Sequence, residues 1–151
     1  MSYVIGMDVT SVTTSREWAL GSIGQTHDGK LYKYVTYSEE AAATDGVAGE
    51  VAYFVAATGY ANNDVTSDLT ASDEVGAGVI QATMSDNEFG WVQIRGTATL
   101  TIALTAGADG DPLTPTGSAD GTLDVSAAVT DAVCAIAGDI SAKEILCLFP
   151  E

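Results

Sequence analysis

Apolar residues along the chain occur in strand-sized runs rather than at helical spacing. Residues 98–104 alternate, with Leu100, Ile102 and Leu104 on one side and Thr or Ala between them, which is typical of a half-buried strand. Residues 50–57 (EVAYFVAA) are apolar almost without interruption, which favours a strand buried on both faces. Strong helix formers are sparse, so the pattern predicts a chain built from strands.

Turn residues separate several of these runs at the spacing of β-hairpins. An Asp28-Gly29 pair lies between the runs 18–23 and 31–37. A polar stretch, SDNE, lies between the runs 79–84 and 89–95. Both arrangements predict antiparallel strand pairs.

The remaining turn signals complete the predicted strand count. Gly96 is expected to end the strand at 89–95, and residues 107–112 (GADGDP) are expected to form a loop. Residues 38–43 (SEEAAA) predict a single helical turn or a loop. Two last runs, 133–137 and 144–149, predict two final strands. This spacing predicts an all-β fold, a single compact antiparallel β-barrel or β-sandwich of about ten short strands.

The strand pattern also predicts the core. Residues in continuous apolar runs, and those on the apolar side of alternating runs, are expected to be largely buried. They are Val51, Phe54, Val55, Val79, Ile80, Trp91, Ile94, Leu100, Ile102, Ile136, Leu146 and Leu148.

Residues 1–15 carry apolar side chains among Ser and Thr, but they show no turn cluster and no helical periodicity. We expect an extended segment here, followed by a β-domain over residues 16–151. Two roles stay open for it: an edge strand of the same domain, or an arm that adds a strand to a neighbouring subunit. An arm would contact its partner through Tyr3, Val4, Ile5, Met7, Val9 and Val12.

The charge of the chain narrows the classes of partner. Five Lys and Arg residues oppose 21 Asp and Glu residues, which gives a formal net charge of −16. Neutralising phosphates requires clustered cations, so neither nucleic acid nor an anionic membrane is expected as a partner.

No apolar run in the sequence approaches the roughly 20 residues needed to span a bilayer. The N-terminal residues also lack the pattern of a signal peptide, so we expect synthesis and use without export.

The residues that most often carry nucleophilic or metal chemistry are isolated from one another. The single histidine, His27, lies in a Thr-His-Asp-Gly turn and has no nucleophile beside it. Cys134 and Cys147 lie in apolar surroundings, where buried free thiols are expected rather than a disulfide. A zinc site would need further ligands that the sequence does not supply.

The carboxylates are the other candidates for chemistry. Asp109 and Asp111, with Asp120 and Asp124, could gather around a hard cation, but their spacing departs from the calcium-loop pattern. A solvated acidic loop is the better interpretation. We therefore expect no catalytic residues, no cofactor and no metal, and a protein that is not an enzyme.

Four blocks of sequence, taken in order, resemble a known family. They are GKLYKYV at 29–35, FGWVQIRG at 89–96, ADGDPL at 108–113 and ILCLFP at 145–150. Together they resemble the capsid decoration (cement) proteins of tailed bacteriophages, over roughly residues 20–150. The FGWVQ block followed by the GDPL loop is the most specific part of the resemblance.

The resemblance implies a location, a partner and an oligomeric state. Proteins of this family are compact β-domains on the outside of the expanded phage head, commonly trimers, and they bridge major capsid subunits. It therefore implies a structural protein of the virion, made in the host cytoplasm, whose partners are the major capsid protein and its own copies in a homotrimer. The alternative that composition leaves open is a carbohydrate- or receptor-binding β-sandwich of a phage tail or other surface structure.

Overall fold

The computed structural model describes residues 3–42 and 44–151. Within these residues eleven strands are hydrogen-bonded into one sheet, which confirms the all-β prediction. The strands are β1 (Tyr3–Ile5), β2 (Ile23–Gln25), β3 (Leu31–Tyr37), β4 (Val51–Val55), β5 (Asp64–Thr66), β6 (Ser72–Ile80), β7 (Phe89–Thr99), β8 (Pro112–Thr114), β9 (Asp124–Val125), β10 (Ala135–Asp139) and β11 (Glu144–Leu148). Helical structure in the same residues consists of α1 (Gly59–Asn62) and two 3-10 turns, Glu40–Ala42 and Leu69–Ala71. None of these helices is long and apolar enough to cross a membrane.

Five of the strands close into a barrel. Their order is β3–β5–β4–β6–β7, and a direct ladder between β7 and β3 completes the ring. Tyr34 of β3 pairs with Trp91 of β7, and Val51 of β4 pairs with Val79 of β6, both in antiparallel register. Most ladders are antiparallel, whereas β3–β5 and β1–β2 are parallel.

The longest strand, β7, belongs to both the barrel and an outer sheet. Its first residues pair with β3 and β6, and the part from Arg95 to Thr99 pairs with β11. Gly96 lies inside the strand with φ +95°, and a Cβ there would lie 2.8 Å from Lys30 Cγ. The prediction that Gly96 ends a strand is therefore wrong. The glycine instead permits a local distortion of a continuous strand, because only glycine adopts this φ without strain.

The outer sheet continues from β7 through β11, β10 and β8 to β9. β8 begins at Pro112, at the end of the predicted loop 107–112, and β9 is only two residues long. Strands of this length carry too few residues to show an alternation, so the sequence pattern could not reveal them.

The alternating run at 98–104 is only partly a strand. β7 ends at Thr99, and residues 101–104 lie outside the strands. Thr101 instead bonds to the loop before β4: its N–H donates to Gly49 O (2.9 Å) and its hydroxyl donates to Ala48 O (2.6 Å). Long-range loop contacts of this kind override a local alternation.

The core fills the barrel and continues under the outer sheet. The prediction of burial is confirmed for Val51, Phe54, Val55, Val79, Ile80, Trp91, Ile94 and Leu100. It is wrong for Ile102 and Ile136, which are half-buried, and for Leu146 and Leu148, which are exposed. In β11 the residues that reach the core are Ile145 and Cys147, followed by Phe149. Both sets of alternate residues in this strand are apolar, so the sequence did not determine which set faces inward.

A second, smaller cluster lies on the outer face of the barrel. Tyr32 and Tyr34 of β3 and Trp91 of β7 point away from the barrel core and are nevertheless buried. The Tyr34 and Trp91 ring centroids are 5.1 Å apart. Val4 of β1 completes the buried cluster, so the N-terminal segment covers this side of the barrel.

Candidate functional site

The N-terminal segment, the candidate arm, lies against its own domain. β1 pairs with β2 in parallel, with Val4 opposite Gly24. Val4 is 8% exposed and packs on the outer aromatic cluster, which Met7 and Val9 also contact. Val12 packs on the main core.

Two local features hold this segment in place. Gly24 has no side chain, and a Cβ there would lie 2.3 Å from Met7 Cε, so the glycine makes room for the methionine. Further along, Thr13 forms an isolated bridge with Phe89 at the start of β7, with N–O distances of 3.0 and 2.9 Å. The segment is therefore an edge element of the folded chain.

Among the candidate arm residues whose side chains the structure describes, one is largely exposed. Ile5 is 90% exposed, although its neighbour Val4 is buried. Tyr3 belongs to β1, but its side chain lies outside the described part of the structure. Among the described residues β1 is the outermost strand of the sheet, so its other edge pairs with no strand of this part of the chain and is a place where a partner strand can add. Partner contact through this edge remains a prediction.

A second candidate surface lies on the outer sheet, and we call it the β11 face. It consists of Leu146 and Leu148 of β11, Ile136 of β10 and Pro112 of β8. Leu146 pairs directly with Ile136, which pairs directly with Pro112. Directly opposed residues point to the same side of a sheet, about 5 Å apart, so the three form one row across three strands. Leu148 lies two residues along β11 on the same side.

Polar residues border the β11 face. Glu144 lies on the same side of β11, two residues before Leu146, and Arg95 of β7 pairs with Leu148 at the other end. Arg95 Nη2 lies 3.5 Å from Glu151 Oε1. An exposed apolar patch inside a polar border is typical of a protein–protein contact surface. Leu146 and Leu148 are 42% and 44% exposed, so together with Ile136 and Pro112 they form a contiguous apolar patch rather than scattered single residues.

The four aspartates considered for a cation serve as hydrogen-bond acceptors for backbone N–H groups. Each accepts a backbone N–H: Asp109 from Ile140 (2.9 Å), Asp111 from Ala108 (2.8 Å), Asp120 from Leu69 (2.9 Å) and Asp124 from Val125 (2.7 Å). Over residues 3–42 and 44–151, no three His, Cys, Asp or Glu side chains come together as a metal site. His27 is exposed in its turn. The carboxylates of the four aspartates therefore stabilise the conformations of loops.

The two cysteines are free thiols, both buried. Burial raises the pKa of each thiol to about 12, since a thiolate is poorly solvated there. At pH 8 both remain protonated in the folded protein. We expect Ellman's reagent to react slowly with the native protein and rapidly once guanidinium unfolds it. Rapid reaction of either thiol under native conditions would contradict the burial described here.

Sequence reasoning missed the β11 face because it placed Leu146 and Leu148 in the core. The available signal was that residues 144–149 are apolar on both alternating faces. A strand that is apolar on both faces is expected to be packed on both sides, but in this fold only one side of β11 is covered by other elements.

No protein-family model matches the chain, and neither a curated protein nor a solved structure is significantly similar to it.

Proposed function

We propose that the protein is a non-enzymatic structural protein that binds the outside of a bacteriophage head, bridges major capsid subunits and stabilises the expanded shell. The β11 face carries the proposal, because its exposed row of apolar side chains is suited to burial against another protein. The resemblance of the four sequence blocks to capsid decoration proteins supports the choice of the major capsid protein as the partner.

The location of those blocks in the fold supports this assignment. The block 89–96 forms most of β7, the strand shared by barrel and outer sheet, and the block 145–150 supplies β11. The block 108–113 leads into β8 at the far side of the β11 face. Three of the four blocks therefore build or border the same surface.

The charge of the protein fits a position on the outer surface of the virion head. A net charge of −16 opposes adsorption to packaged DNA, so the protein would not compete for the nucleic acid inside the shell. Attachment to the shell can use apolar contact and main-chain hydrogen bonds, for which the β11 face and the edge of β1 are suited.

We also propose that the protein acts as a homotrimer. Three linked copies at a symmetric position of the lattice bind more tightly than one, since the second and third contacts become intramolecular. Light scattering across micromolar concentrations should give three times the monomer mass. A monomer mass at every concentration would overturn the trimer and leave single-copy attachment.

The proposed function is tested by partner dependence. Purified protein should co-sediment with empty expanded heads prepared without it and should saturate at a fixed number of copies per capsomer. Unexpanded heads, in which the subunit junctions are spaced differently, should bind much less and serve as the control. Retention on a glycan array together with no binding to either kind of head would contradict the proposal and favour a carbohydrate-binding module.

A further inference from the structure

A pocket of about 390 Å³ opens in the side of the barrel, and its lining includes Glu151, the partner of Arg95 at the border of the β11 face. The lining is mostly apolar and contains one cation, Lys33. The residues that matter are Lys33 of β3, Phe54 of β4, Tyr60 of α1, Asn63 before β5, Val75 of β6 and Glu151. The volume lies at the lower end of the range for small-molecule sites.

The opening follows from how β3 is paired along one edge. Residues 31–33 of β3 pair with β2, while Thr36 and Tyr37 pair with β5. β2 and β5 thus lie end to end along β3, but only β5 continues to β4. The barrel wall is incomplete beside Lys33.

Gly21 and Asn63 meet at the junction between β2 and β5. A Cβ on Gly21 would lie 2.9 Å from Asn63 Nδ2, and Gly21 has φ +84°. A larger residue at position 21 would therefore crowd Asn63, which also lines the pocket.

Lys33 is the unusual feature of this pocket. The residue is 4% exposed, and its Nζ lies 5.4 Å from the centroid of the Phe54 ring. Among the described residues no carboxylate lies within 4 Å of this ammonium; Glu151, the acidic residue of the pocket, is paired with Arg95 instead. Burial lowers the pKa of Lys33; the Glu151 charge opposes this and Arg95 adds to it.

Most of the Lys33 side chain is buried, and its ammonium reaches solvent only through the pocket. An ammonium in an apolar pocket with no carboxylate partner is poorly solvated, which is unfavourable. The cation–π contact with Phe54 compensates only in part. The aromatic pair of Phe54 and Tyr60, with ring centroids 5.3 Å apart, forms an apolar wall next to the same ammonium. A ligand with an anionic group and an apolar body would satisfy both features at once.

We propose that this pocket binds a small carboxylate carried on an aromatic or branched aliphatic body. The ligand carboxylate pairs with Lys33 Nζ, and its body packs against the Phe54–Tyr60 wall and Val75. The Asn63 amide, which also lines the pocket, supplies a second hydrogen-bond donor. This binding activity does not depend on the proposed attachment to heads.

The experiment compares two probes that differ in charge alone, 4-phenylbutyrate and 4-phenylbutanamide, by titration in amide NMR spectra. The butyrate should bind with a dissociation constant of about 1 mM or tighter and shift the Gly21 and Asn63 amide signals. The amide should bind at least about tenfold more weakly, since it lacks the ion pair. Equal binding of the two probes, or no binding of the butyrate at several times that concentration, would overturn the proposal.

Three variants separate the contribution of charge to ligand binding from that of the apolar Phe54–Tyr60 wall. Lys33→Met keeps an apolar stem of similar length and should remove the preference for the acid over the amide. Glu151→Gln removes the competing carboxylate and should tighten butyrate binding. Tyr60→Ala alters an exposed wall residue and should weaken both probes alike, so it keeps the test valid if Lys33→Met folds poorly. An unchanged acid preference in Lys33→Met would contradict the assignment.

Stability distinguishes a ligand-binding lysine from a structural one. In the absence of ligand, Lys33→Met should melt a few degrees higher than the parent protein at pH 7, because it removes an unpaired, poorly solvated charge from an apolar pocket. Lys33 binds its proton less tightly in the folded state, so parent stability rises with pH between the lowered pKa and the ordinary value of 10.5, and the difference should shrink there. A lower melting temperature for Lys33→Met at pH 7 would indicate a structural role and count against the proposal.

Discussion

Removing residues 1–15 should lower the melting temperature of the protein by about 10–20 °C. The segment buries Val4 and parts of Met7, Val9 and Val12, and it covers Trp91 and Tyr34. Losing this apolar burial should cost about 5 kcal/mol. For a domain of this size each kcal/mol shifts the melting temperature by roughly 2–4 °C.

Two neighbouring residues of β1 provide the matched comparison. Val4→Ser should lower the melting temperature, because it places a hydroxyl in the outer aromatic cluster. Ile5→Ser should leave it nearly unchanged, because Ile5 is 90% exposed. Thermal unfolding followed by circular dichroism measures both. A truncated protein that melts like the full chain but no longer forms trimers would instead favour the arm.

Replacing Leu146 and Leu148 together with serine should weaken binding to expanded heads by about 100-fold or more. Each leucine should contribute about 1.5 kcal/mol or more when the β11 face is buried against the shell, and about 2.7 kcal/mol corresponds to a hundredfold change in affinity. The folded monomer should be little affected, since both side chains are already substantially exposed. Co-sedimentation over a concentration series measures the loss.

The matched control for this variant changes two exposed valines elsewhere. Val47 is 40% exposed, Val129 is fully exposed, and both lie outside the β11 face. The double variant Val47→Ser with Val129→Ser removes a comparable number of exposed apolar side chains and should bind heads normally. Equal losses of head-binding affinity in the two double variants would show that binding depends on general surface hydrophobicity rather than on the β11 face. Normal head binding by the leucine variant would show that the β11 face is not part of the interface with the shell.

The sequence pattern predicted the barrel core well because burial on both faces leaves a clear signal. Residues 51–55 are apolar throughout, and in the structure β4 is buried along its whole length. The same reasoning failed in β11, where Leu146 and Ile145 are equally plausible core residues. Only the pairing with β7 and β10 decides which of them faces the core.

Features that depend on contacts distant in sequence could not be predicted from the chain alone. Closure of the barrel requires β3 to pair with β7, more than fifty residues later. The Lys33 pocket requires two strands to meet end to end on β3 and the barrel wall to stop beside them. The arm residues were identified as apolar and extended, but their packing against Trp91 depends on which side of the barrel stays uncovered.

A cryo-electron microscopy map of expanded heads with and without added protein shows directly whether the protein bridges capsid subunits from outside. We expect extra density on the outer surface alone, at junctions between major capsid subunits, into which the barrel fits with the β11 face toward the shell. Heads carrying the variant with both leucines replaced should lack this density. No added density on the outer surface at saturating protein would contradict the account, as would density in which the β11 face points into solvent.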